Sequence, residues 1–132
     1  MIRPPTDAAT SIRMRGVRQS GTQIETMVAE ALRLADLRYR RNVKSLPGSP
    51  DFANKARRWA VFVNGCFWHH HTGCRRATVP KRNAAFWTTK FRNNRTRDAR
   101  AIRELRRRGY RVVVVWECES SAIAQRLTQI LE

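Results

Sequence analysis

The chain is short of acid. Of its 132 residues, 10 are Asp or Glu and 27 are Lys or Arg, leaving a formal charge of +17 at pH 7. A compact body with so little negative charge repels itself unless it meets a polyanion. Lysine is scarce as well, since 23 of the 27 cations are arginine, whose planar fork matches phosphates and guanine edges. Nucleic acid is therefore the partner the balance favours. Long apolar runs are missing: the longest, Trp59–Val63 and Val112–Trp116, are five residues each, against about twenty for a bilayer span. No membrane segment is expected. The start, Met1–Thr10, holds two prolines and charges and lacks the apolar stretch of a secretion signal, so a cytoplasmic location is expected. Three cysteines, Cys66, Cys74 and Cys118, are an odd number. That excludes a simple disulfide framework, and in a reducing compartment they read as thiolate ligands or core residues.

What remains is ordinary. The 42% of apolar residues supports one hydrophobic core at this length, with a mobile leader expected over residues 1–12 and one domain over 13–132. From Ile24 the apolar positions Ile24, Met27, Val28, Ala31, Leu32 and Ala35 follow the spacing of an amphipathic helix, with Thr22 and Glu25 as a capping box. Tyr39–Lys44 alternates as a short strand, Leu46–Pro50 is a turn ending at Asp51, a further strand follows Asp51, and Trp59–Val63 is a buried strand. The stretch from Asn64 to Arg82 has no period, and a loop of that length is usually functional or pinned. A second helix is expected from Asn83 to Arg108, with Trp87, Phe91, Asp98, Ile102 and Leu105 on one stripe and Gly109 as its stop. Val112–Trp116 is another buried strand, and Ile123, Leu127, Ile130 and Leu131 mark a closing helix. Continuous apolar strands flanked by helices predict a mixed α/β sheet covered on both faces.

The chemistry concentrates in Asn64–Cys74. All three histidines of the chain, His69, His70 and His71, stand there with Cys66 and Cys74. Cys66, His71 and Cys74 at C-x4-H-x2-C spacing, with Cys118 arriving from beyond the second apolar strand, would form a tetrahedral zinc site. Three free core cysteines are the plain alternative. His69 and His70 are then surplus to zinc. His70 reads as solvated. His69 has a prospective partner in Asp98, because a carboxylate on an apolar stripe needs one, and an imidazole so oriented is the arrangement of a general base. Asp51 reads either as a solvated turn acid or, with Glu25, as an oxygen ligand for a hard cation. Trp87 sits at core spacing. Phe67 and Trp68, adjacent within a polar loop, cannot both face one core, so at least one is available to stack on or wedge between bases.

Together these residues resemble the very short patch repair (Vsr) mismatch endonucleases. The match runs from about Ser11 to Ser120 through Met14-x-x-Val17-Arg18, Thr22-x-x-Glu25, Leu46-Pro47-Gly48-x-Pro50-Asp51, Gly65-Cys66-Phe67-Trp68-His69, Phe86-Trp87, Asn93 or Asn94 with Arg95-x-x-Asp98, and Val114-Val115-Trp116-Glu117-Cys118. The resemblance implies a PD-(D/E)xK nuclease core and a monomeric, Mg2+-dependent enzyme that nicks double-stranded DNA beside a T:G mismatch left by deamination of 5-methylcytosine. A functional link to a cytosine-5 DNA methyltransferase follows. It implies Mg2+ on Asp51 and the main-chain carbonyl of Val63, supported through water by Glu25. It makes His69, oriented by Asp98, the base, and Cys66, His71, Cys74 and Cys118 the ligands of structural Zn2+. Phe67, Trp68 and Trp87 would wedge into the duplex, and Met14 would insert from the other groove. Asn64 stands where the family has a histidine, and the zinc loop is one residue longer, with Thr72-Gly73 before Cys74. Asn64 donates a hydrogen bond but takes no proton near neutral pH. The competing class is a zinc-stapled binding module for mismatched or bent DNA that cuts nothing.

Overall fold

The computed structural model describes residues 23–131. The expected leader, Met14 and Thr22 of the capping box lie outside them. The elements run α1 (Gln23–Leu34), β1 (Arg40–Arg41), β2 (Phe52–Asn54), β3 (Trp59–Asn64), α2 (Ala84–Arg107), β4 (Arg111–Trp116), a 3-10 turn (Glu117–Ala122) and α3 (Ile123–Leu131). This is the order the periodicity predicts. The four strands form one mixed sheet in the order β1-β2-β3-β4, antiparallel except for the parallel pair β3 and β4. A parallel pair needs a long crossover, and the 24 residues of α2 supply it.

The five-residue apolar runs are buried because the sheet is covered twice. Trp59, Val61, Val63, Val113 and Val115 face α1 and α3, where Ile24, Val28, Leu32, Ile123, Leu127 and Ile130 close the larger core. Ala60 and Val112 face the other way, against Leu105 of α2 and Leu46. Two expectations need correction. The first strand is cut to Arg40–Arg41, because Asn42 takes a left-handed φ of 50°, although Asn42 and Val43 still donate to the carbonyls of Asp51 and Pro50 at 3.0 Å. Leu131 is 65% exposed: the stripe of α3 is Ile123, Leu127 and Ile130, and one further step of about 100° turns Leu131 to solvent.

Two features aim the functional segments. The parallel register pairs Asn64 with Trp116, so Cys66 and Cys118, each two residues past the pair, leave the sheet side by side. The turn before Asp51 is pressed onto α2. Gly48 has a φ of 75°, and a Cβ there would lie 2.7 Å from Cβ of Ala101 and 3.0 Å from the Phe62 ring, so only glycine lets the turn lie so close.

Candidate active site and metal centre

The loop after β3 is a succession of tight turns. His69 donates to the Gly65 carbonyl, His71 to Cys66, Cys74 to His71 and Ala77 to Cys74, all within 3.0–3.2 Å. These turns gather four ligand atoms. The thiols of Cys66, Cys74 and Cys118 and a ring nitrogen of His71 all lie within 4.8 Å of one another, and no disulfide joins the cysteines. His71 Nδ1 is 3.8 Å from the Cys66 sulfur and 3.4 Å from that of Cys118. A zinc tetrahedron with bonds of about 2.3 Å to sulfur and 2.0 Å to nitrogen has edges of about 3.5 to 3.8 Å, so the donor set fits zinc in kind and spacing. Burial pushes the Cys66 thiol up to about 12, a cost to the thiolate that a divalent cation reverses. The His71 ring lies flat on Trp116, centroids 4.0 Å apart and planes within 7°.

A second cluster sits at the mouth of β2 and β3. The Val63 amide donates to Asp51 Oδ2 at 2.7 Å. In an extended strand a residue's N–H and C=O face the same neighbour, so the Val63 carbonyl is turned to the Asp51 side too. Glu25, 3% exposed, lies against Asp51. Burial lifts the Asp51 carboxyl to about 6. The Val63 hydrogen bond opposes the rise, Glu25 adds to it, and the charge of nearby His69 opposes it. Two carboxylates and a carbonyl are the hard oxygen donors that suit Mg2+. Glu25 thus stands beside Asp51, whatever it also does for the helix start.

His69 and Asp98 meet: Nδ1 lies 2.6 Å from Oδ2, each side chain about one third exposed. They open on a hollow of about 420 Å3 whose walls include Ser49, Trp68, Lys90, Asn94 and Arg97. Of the Asn93/Asn94 pair it is Asn94 that faces the loop, donating to the Trp68 carbonyl at 3.0 Å and accepting from Arg97. Asn64, 5% exposed, is the last residue of β3.

The aromatics form one bed. Phe67 touches Trp68, Trp87 and Phe91, with centroids 5.1, 6.1 and 5.2 Å apart. Phe67 and Trp68 are half-buried, whereas Trp87 is 3% exposed with its indole N–H unpartnered. His70 corrects its expectation. Rather than standing in solvent, its ring stacks on Phe91, centroids 4.3 Å apart and planes within 4°, and burial lowers its proton affinity, with Arg95 adding to the effect. Its φ of 47° lets three consecutive histidines diverge to Asp98, Phe91 and the cysteines. The sequence pointed His69 to Asp98 and His71 to the cysteines, but gave no sign of the His70 stack on Phe91, because its cause is the backbone bend.

Residues 5–76 match the family described as DNA mismatch endonuclease Vsr. The chain belongs to this family. A Type II nicking enzyme, V.XorIIP, of Xanthomonas oryzae pv. oryzae is 43% identical over 122 residues, covering 90% of this chain and 89% of its own. The DNA mismatch endonuclease Vsr of Escherichia coli is 41% identical over 111 residues, 84% of this chain and 70% of its own. A third relative, the Type II nicking enzyme V.NmeAIP of Neisseria meningitidis, is 37% identical over 114 residues, 86% and 81%. The Vsr assignment agrees with the resemblance read from the motifs, and no helix among the described residues is long and apolar enough to cross a membrane.

Proposed function

We propose that this Vsr-family protein is a Mg2+-dependent DNA endonuclease, a PD-(D/E)xK-type nuclease domain over residues 13–132, that nicks one strand beside a T:G mismatch. The observation that carries the reading is the 2.6 Å contact of His69 with Asp98, set beside the buried Asp51 and Glu25 carboxyls. One centre thus offers a base and a cation site. Asp98 holds Nδ1 of His69 and leaves Nε2 to take the proton of the attacking water. That water's oxygen bonds to phosphorus as the P–O bond to the leaving sugar breaks. Asp51 and the Val63 carbonyl would hold Mg2+, with Glu25 behind them. When bound, the ion supplies Lewis acidity and neutralises charge on the phosphate. Cys66, His71, Cys74 and Cys118 would hold Zn2+, which would keep His69 and the wedge residues on one rigid loop. Phe67 and Trp68 enter the duplex, and Trp87, buried beneath them, supports them rather than wedging itself. The enzyme acts as a monomer in the cytoplasm, in functional partnership with a cytosine-5 methyltransferase.

One observation favours a second reading. Asn64, in place of the family's histidine, removes a group able to take a proton, as expected of a module that binds mismatched DNA and does not cut it. Incubating the zinc-loaded protein and Mg2+ with T:G duplexes of randomised flanks, and mapping nicks, decides between them. Nicks beside the mismatch support the enzyme. Mismatch binding with no nick in Mg2+ or Mn2+, and cleavage restored by Asn64→His, would establish the binding module.

A further inference from the structure

The DNA reading uses cations at the catalytic end, such as Lys90 and Arg97 at the hollow. It leaves the opposite end of the sheet unexplained. β3 and β4 run in parallel towards the site, and six residues of strand put their starts about 17 Å behind it. There the turn between β2 and β3 exposes Lys55, Arg57 and Arg58, and the end of α2 exposes Arg106, Arg107 and Arg108. The two turns are joined, since Arg111 donates its backbone N–H to the Arg58 carbonyl at 2.9 Å. A Cβ at Gly109 would lie 3.4 Å from the Arg58 guanidinium. Arg38 and Arg40 line a hollow together with Lys55.

Counter-charge at this pole is thin. The acids on the described segments that meet there are Asp36 and Glu104. Glu104 is already engaged by both Arg107 and Arg108, which hold its carboxyl down at about 2. Arg58 sits at a φ of 57°, a left-handed backbone that Gly, Asn or Asp would occupy more easily. Like charges crowded without acids are costly to a compact body, and a polyanion relieves that cost.

We infer that this pole is a second nucleic-acid surface, which binds the phosphates of a DNA segment other than the one held at the catalytic end. Arginine predominates over lysine there, as suits the phosphate fork. The exposed leucines Leu34 and Leu131 open instead on a groove between α1 and α3, across the sheet from α2, so the arginine surface lacks the apolar centre typical of a protein interface. The pole lies at the starts of β3 and β4, at the end of the sheet opposite the catalytic loop. One protein molecule therefore bridges two segments, and the grip of the second is sequence-independent and salt-sensitive. The bridge rests on the DNA-binding reading of the catalytic end. It does not depend on cleavage.

The test holds the full chain on a bead-tethered mismatched duplex and measures capture of a labelled, fully paired duplex from solution at low salt. Wild type captures it. A variant with Lys55→Gln, Arg57→Gln, Arg58→Asn and Arg106→Gln captures at least about tenfold less, having lost up to four phosphate contacts, while its nicking rate on the tethered duplex changes less than about twofold. The charge-conserving set Arg57→Lys, Arg58→Lys and Arg106→Lys keeps most of the capture. The inference is overturned by no capture with wild type, by undiminished capture with the neutral variant, or by nicking that falls in step with capture. It is also overturned if polyglutamate at equal charge displaces the second duplex as well as DNA does, which would assign the pole to an acidic protein. Capture in a protein that holds mismatched and paired duplexes alike and nicks neither would sink the proposed function and support the pole.

Discussion

His69 and Asp98, 29 residues apart, meet at 2.6 Å at the edge of the hollow that Trp68 also lines. The pair is held by two independent supports, the loop after β3 on one side and the long crossover helix on the other. His69→Ala should abolish nicking while zinc content and duplex binding persist. Asp98→Asn keeps a hydrogen-bonding partner and should slow nicking by a smaller factor, on the order of ten to a thousand. Single-turnover rates check both, and equal rates for Asp98→Asn and wild type would remove Asp98 from the mechanism.

Nicking should depend on pH through Asp51. Burial, reinforced by Glu25, lifts its carboxyl to about 6, so that carboxyl is protonated below that value. Nicking should fall as pH drops through about 6, and raising Mg2+ should move the limb to lower pH, because cation and proton compete for the same oxygens. The same shift acts on stability with the opposite sense. A carboxyl harder to ionise when folded binds more protons in the native state, so metal-free protein should lose stability as pH rises from about 4 to 6. Thermal unfolding against pH, with Asp51→Asn giving a flatter curve, checks it.

Removing zinc should unfold more than the loop. Cys66→Ser or Cys118→Ser should lose one equivalent of metal and most of the native circular dichroism, since structural zinc contributes on the order of 10 kcal/mol in small sites. Cys66 is fully buried and Cys118 exposed, so the Cys66 variant should be the worse of the two. Well-folded wild-type protein without bound zinc would refute the staple.

The aromatic bed separates two kinds of loss. Trp68→Ala should weaken mismatch binding by about 1 to 3 kcal/mol, the usual worth of one stacked base, and paired DNA less, because a mismatch is easier to unstack. Trp87→Ala removes a buried side chain and should lower the melting temperature, at a cost of about 3 to 5 kcal/mol. Titrations on both duplexes, beside thermal melts, distinguish them.

Gly48→Ala should destabilise the protein by about 1 to 3 kcal/mol, from the left-handed backbone and from the collision with Ala101. Because that turn delivers Asp51, the Mg2+ needed for half-maximal nicking should rise as well. Unchanged stability would mean that the turn yields freely.

Much of this was legible in one dimension. Five-residue apolar runs mark strands buried on both faces, the stripe through Trp87, Phe91 and Leu105 marks a helix, and histidines beside cysteines mark a metal loop, because each pattern repeats a local period or a ligand spacing. Even Asp98 was conspicuous as a carboxylate on an apolar stripe. Tertiary structure alone settles who meets whom. The register that pairs Asn64 with Trp116 puts Cys118 beside Cys66, and the left-handed bend at His70 sends that ring to Phe91 while His69 and His71 go elsewhere. Burial of Glu25 beside Asp51 depends on how α1 packs against the sheet. Composition likewise sets the charge at +17, but only strand direction sorts it into a catalytic end and a far pole. Periodicity is a property of neighbours in sequence, whereas proximity across tens of residues is set by packing the whole core at once.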